Sequence, residues 1–149
     1  MRRLALAACL ATLPTIGFAL SPLVDIAALI QDRDWQLLAI DGAVVDQGFT
    51  ASLRVDAEGA ISGMAPCNSY GAQNTGDLPD FKPGPIRATR RACDRLADEQ
   101  VFFDTLSIME SAAIDGIQNL ILTGPDGRSM EFVQDRTDRQ PACKTCTAD

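Results

Sequence analysis

Phe49-Thr50-Ala51-Ser52-Leu53-Arg54-Val55, then Asp56-Ala57-Glu58-Gly59, then Ala60-Ile61-Ser62-Gly63-Met64, is the stretch that decides the fold class. Phe49, Ala51, Leu53 and Val55 alternate with Thr50, Ser52, Arg54 and Asp56. Successive side chains of a strand point to opposite faces, so this run predicts a half-buried strand with one polar face. Asp56, Glu58 and Gly59 supply a turn, and extended character resumes at Ala60. Two such runs across a short turn predict a β-hairpin and therefore an antiparallel sheet.

Towards the N-terminus, Trp35, Leu37 and Ala39 alternate with Gln36, Leu38 and Ile40, a strand that Asp41-Gly42 ends. Before it, Leu23, Ile26, Ala27 and Ile30 keep helical spacing, with Ser21 as N-cap and Pro22 as the first helical residue of a short helix or leader. Towards the C-terminus, residues 69–74 form a further strand. Residues 75–85 read TGDLPDFKPGP, where three prolines and two glycines forbid a regular ladder and predict a surface loop or an irregular edge. A brief strand at 86–89 follows. Asp94 is the expected N-cap of one amphipathic helix over 96–112, because Phe102, Leu106, Met109 and Ala113 make a single apolar stripe. Asp98 and Glu99 lie in its first turns, where the helix dipole favours acids. Residues 117–123 and 129–133 flank Gly124-Pro125-Asp126-Gly127 as a second hairpin. The expected class is α+β, mainly β: a compact antiparallel sheet or partly open barrel with one packed amphipathic helix.

The 149 residues fit one domain. Aromatics are only 5%, so the core must rest on Leu, Ile, Val and Ala. No histidine is present, which removes the commonest general base and the commonest zinc ligand. No metal or cofactor is expected. The net charge of −7 repels phosphate backbones, so nucleic acid is a poor partner.

Arg2 and Arg3, the apolar run 4–13 and the small residues of Gly17-Phe18-Ala19 have the pattern of a secretory signal peptide over 1–19. Its removal takes away two positive charges and lowers the net charge from −7 to −9. The expected address is the periplasm or cell envelope, with no membrane span after cleavage. Leu6-Ala7-Ala8-Cys9 also spells a lipidation site, but the apolar run before Cys9 is too short for that reading.

Four cysteines follow the leader: Cys67, Cys93, Cys143 and Cys146. An even number in an exported chain favours bridges, and three pairings are open. The simplest is Cys67–Cys93 within the domain and Cys143–Cys146 in the tail. Gly63-Met64-Ala65-Pro66-Cys67-Asn68-Ser69-Tyr70-Gly71 resembles the Gly-x-x-Gly-Cys-Asn-x-Tyr-x-Gly signature of META domains, the group that contains the HslJ heat-shock proteins. Thr89-Arg90-Arg91-Ala92-Cys93 resembles the Thr-x-Met-x-Cys element of that family. Pro66 stands where the family has glycine, and Arg91 where it has methionine. The resemblance covers about 34 to 133, and divides the chain into signal peptide 1–19, leader 20–33, META/HslJ-like domain 34–134 and polar cysteine-containing tail 135–149. It implies an antiparallel β fold with one helix, envelope residence and a link to stress tolerance. It marks Gly63, Cys67, Asn68, Tyr70, Gly71, Thr89 and Cys93 as motif residues, and carries no catalytic mechanism.

A nucleophilic Cys67 needs a base, and no histidine exists to be one. A Ser–Lys dyad would have to use Lys82 or Lys144, both in irregular segments. The expectation is therefore a non-catalytic, monomeric envelope protein that binds a protein partner or supports stress tolerance, with the 75–85 loop as its contact surface. The alternative is a thiol–disulfide redox protein that uses the CxxC spacing of Cys143 and Cys146.

Overall fold

A computed structural model describes residues 25–116 and 119–136. Among these residues, nine strands form one sheet in the order β6-β5-β4-β3-β1-β9-β8-β7, with β2 paired to β1. The strands are β1 (Trp35–Ile40), β2 (Ala43–Val44), β3 (Ser52–Val55), β4 (Ala60–Met64), β5 (Ser69–Gln73), β6 (Arg87–Ala88), β7 (Ser111–Asp115), β8 (Asn119–Thr123) and β9 (Ser129–Val133). Every pairing is antiparallel. Two helices, α1 (Ile26–Ile30) and α2 (Leu96–Leu106), complete it. The sheet ends at β6 and β7 and does not close into a barrel.

The hairpin of β3 and β4 pairs Val55 with Ile61 and Arg54 with Ser62. Asp56 makes its turn: the carboxylate accepts the Glu58 and Ala60 amides at 3.1 and 2.7 Å, and Gly59 takes a positive φ of 80°. Asp41 and Gly42 both have positive φ, the requirement of a two-residue hairpin turn, and join β1 to β2. The second expected hairpin is β8–β9, where Leu120 opposes Phe132 and Leu122 opposes Met130, all four fully buried.

Three helical expectations are corrected. In α1 the cap is Asp25, whose carboxylate accepts from Ala27 and Ala28, rather than Ser21, which lies outside the described residues. Ile30 is fully buried and its carbonyl accepts the Trp35 indole N–H at 3.0 Å, so the core draws on residues ahead of 34. At α2 the N-cap position is Arg95, not Asp94, and no side chain caps it. The helix also stops at Leu106, six residues before the expected end at 112.

The reason for that early stop lies in the sheet. Ala112 and Ala113 are strong helix formers that extend the apolar stripe of α2, yet all five residues from Ser111 to Asp115 pair one for one with β8. Sheet pairing overrides local propensity there. Met109 stays buried from the connecting turn, which is why it fits the helical stripe, whereas Ala113 faces solvent.

The proline-rich segment ties the sheet together. At one end Gly84 N–H donates to the Gln73 carbonyl at 2.8 Å. At the other, Phe81 N–H donates to Glu110 and Ala112 N–H to Pro79, at 3.0 and 2.8 Å, so the segment lies along β7. Buried Asn74 holds the middle, accepting from the Lys82 amide and donating to the Gly76 and Asp80 carbonyls. Phe81 is 0% exposed and belongs to the main core. The segment is irregular, as its prolines require, but it is a packed part of the domain with an apolar anchor. Phe81→Ala is expected to lower stability by about 3–5 kcal/mol in urea titrations, the range for deleting a fully buried phenyl ring. A loss below about 1 kcal/mol would mean that the loop is peripheral.

Candidate functional site

The turn between β4 and β5 carries Cys67 and Asn68, and Asn68 is 3% exposed. Helix α2 brings Glu99 to it from 31 residues away. The carboxylate accepts the Cys67 amide at 3.0 Å and the Asn68 amide at 2.8 Å on Oε2, and the Asn68 side-chain N–H at 2.7 Å on Oε1. Glu99 is only 7% exposed. A charge removed from water requires several donors in compensation, and hydrogen bonds to an ionised acceptor are stronger than neutral ones.

Asn68 uses the rest of its amide on a third segment. Its Oδ1 accepts the Thr89 hydroxyl at 2.9 Å and the Arg91 amide at 2.6 Å. Its Nδ2 also donates to the Arg91 carbonyl at 3.3 Å. Two donors and two acceptor sites are the whole capacity of a carboxamide, and all are engaged. No single replacement presents both donors and acceptors in this geometry. Aspartate would lose the donors and set a second carboxylate against Glu99.

Next to this clamp, Cys67 and Cys93 form a disulfide with Cα atoms 5.9 Å apart across 26 residues. Closing a loop of that size contributes about 3.5 kcal/mol in the chain-entropy treatment. The Arg95 amide donates to the Cys93 sulfur at 3.3 Å, which places the bridge against the start of α2. Cys143 and Cys146, and Cys9, lie outside the described residues.

Gly63 and Tyr70 form a second contact. They are directly opposite in the β4–β5 register. A Cβ on Gly63 would lie 2.1 Å from the Ser52 carbonyl oxygen, so only glycine permits this approach of β3 to β4. The Tyr70 hydroxyl donates to that same carbonyl at 2.9 Å, while its ring meets Phe102 and Phe103 edge to face at 5.4 and 5.5 Å. Tyr70 thus joins β5, β3 and α2. Burial pushes its phenol pKa far above the ordinary tyrosine value. Gly71 differs: a Cβ there meets only the Ile61 carbonyl, at 3.5 Å, and the residue lies apart from the clamp.

The structure therefore gathers Gly63, Cys67, Asn68, Tyr70, Thr89 and Cys93 into one corner. It adds Glu99, which sequence reasoning placed only as a dipole partner. The signal for Glu99 was present: with Phe102 and Leu106 it stands at i, i+3 and i+7, a carboxylate on the apolar stripe. The two departures from the family signature are also accounted for. Arg91 takes part in the clamp through its main chain alone, so its side chain is free to vary there. The Pro66 amide position is not used, because the turn closes through Ala65 N–H to the Asn68 carbonyl at 2.8 Å. Chemically, the corner holds a bridged thiol, a saturated amide and a carboxylate occupied by three donors, an arrangement suited to rigidity.

Two outcomes follow from this geometry. Glu99→Gln puts an N–H where an acceptor is needed, and is expected to cost about 2–3 kcal/mol in equilibrium unfolding, the penalty for stranding buried donors. Tyr70 is the only tyrosine, so alkaline absorbance at 295 nm reports it alone. Its folded pKa is raised, so the stability it contributes is complete below the unfolded value of about 10 and is lost as pH rises above it. The expected titration is a sharp step coincident with unfolding, and a gradual non-denaturing curve near pH 10 would contradict the buried hydrogen bond.

A family model for the META domain matches residues 28–137. Comparison with curated proteins yields no match. Among solved structures, the NMR structure of a protein from Burkholderia xenovorans superposes with a TM-score of 0.58 at 19% identity, covering 84% of this chain and 99% of that one. The crystal structure of a DUF4847 family protein from Bacteroides vulgatus gives 0.56 at 11% identity, with 76% and 100% covered. At these identities the likeness is one of fold. The family match spans most of the chain and takes in the whole clamp, so this protein belongs to the META domain family.

Proposed function

We propose that this protein is a non-catalytic component of the bacterial envelope, exported by its N-terminal segment, that binds a protein partner and supports envelope integrity under stress. The observation that carries this reading is the use made of the motif. Its cysteines are joined to each other and its asparagine is saturated by Glu99, Thr89 and the Arg91 main chain. Groups spent on holding three segments together are not available for turnover. The bridge also fits an oxidising compartment, where disulfides form and persist. No helix among the described residues is long and apolar enough to cross a membrane.

The test is an intact mass and non-reducing peptide map of the protein recovered from fractionated cells. Export predicts an N-terminus near Leu20, a periplasmic or envelope fraction and a Cys67–Cys93 peptide pair. A reduced Cys67 in a cytoplasmic fraction would overturn the reading. The same map reports Cys143 and Cys146: a mixed disulfide at either would favour a redox role in place of partner binding.

A further inference from the structure

The sheet has two ends, β6 and β7, and they are treated differently. β7 is covered by residues 79–81 of the proline-rich segment. β6 pairs on one side only, with β5, through Tyr70 opposite Ala88 and Gly71 opposite Arg87. Thr89 N–H donates to the Ser69 carbonyl at 3.0 Å, so the ladder bonds belong to positions 87 and 89. In an antiparallel pair the intervening residue turns its N–H and C=O the other way. Ala88, which is exposed, therefore presents both groups at the open edge.

That edge is also positively charged. Arg87, Arg90 and Arg91 are exposed, and none makes a salt bridge among the described residues. Three unpaired guanidinium groups within five residues stand out in a chain of net charge −7. Arg90 and Arg91 line a shallow depression of about 600 Å³ with Met64, Cys67, Ser69 and Thr89, and Arg87 lies outside that lining. Met64, 50% exposed, adds apolar surface to that lining.

We propose that this edge binds an extended acidic segment of a protein partner by strand addition. The segment's backbone pairs with Ala88, and its carboxylates pair with Arg87, Arg90 and Arg91, whose planar forks match carboxylate geometry. The proposal rests on the partner-binding part of the function above and names the chemistry of that partner. A peptide fits better than a bilayer, since the open N–H and C=O of Ala88 call for a partner with its own backbone amides, which lipid headgroups lack. The chain's own residues 137–149 carry two acids and two bases, and so do not complement the patch.

The test titrates the full chain into a fluorescein-labelled peptide of alternating glutamate and valine. Controls are its alternately N-methylated form, a lysine–valine counterpart and phosphatidylglycerol vesicles. The glutamate–valine peptide should bind, with amide shifts centred on 86–91, and R87E/R90E/R91E should weaken binding roughly tenfold or more. R90E alone should weaken it less, and the N-methylated form should bind less tightly than its parent. No binding, equal binding by the triple variant, equal binding of the N-methylated peptide, or binding of vesicles in its place would each overturn the proposal. Export and oxidation are decided by the peptide map, so failure here leaves that reading separately measurable.

Discussion

A carboxylate out of reach of bulk water must be surrounded by donors or it costs several kcal/mol. Glu99 meets that condition with two main-chain amides and the Asn68 side chain. The consequence is geometric as well as energetic. Cys67 and Asn68 have to turn their N–H groups toward α2, which sets the path of the chain from β4 into β5. Asn68, oriented by Glu99, then has its carbonyl oxygen aimed at Thr89 and Arg91, which sets the path from β6 into α2. One charged group thus defines the position of three segments that are distant in sequence.

The disulfide and Tyr70 reinforce this corner by different physics. Cys67–Cys93 restricts the unfolded chain and joins two of the segments covalently. Tyr70 acts in the folded state: its ring packs against Phe102 and Phe103, and its hydroxyl satisfies the Ser52 carbonyl that Gly63 allows to come close. The neighbours of Glu99 identified by contact are neutral donors. The ion pairs of Arg54 with Asp32 and Asp34, and of Arg95 with Asp46 and Asp98, do not involve Glu99. A clamp built on neutral donors buries one charge instead of two.

Much of the sheet is legible from periodicity, because β1, β3 and the β8–β9 hairpin alternate and are punctuated by Asp-Gly or Gly-Pro-Asp-Gly turns. β7 is not, since Ala112 and Ala113 continue the helical pattern of α2 and the segment is fixed as a strand by pairing with β8. The packed character of the proline-rich segment is likewise invisible locally: Phe81 is one aromatic among turn residues, and only the distant Glu110 carbonyl fixes its amide. The motif residues are legible as a set through family resemblance. Their common partner is not, because Glu99 looks like any acid in a first helical turn until its place on the Phe102–Leu106 stripe is noticed.

Native-state hydrogen exchange at the Cys67 and Asn68 amides reads out how firmly Glu99 holds this corner. If Glu99 is the group on which the corner depends, both amides should exchange only through global unfolding, with the same free energy as the Leu37 and Phe132 amides in the middle of the sheet. Exchange of Cys67 and Asn68 through a low-energy local opening, with the sheet still protected, would contradict it.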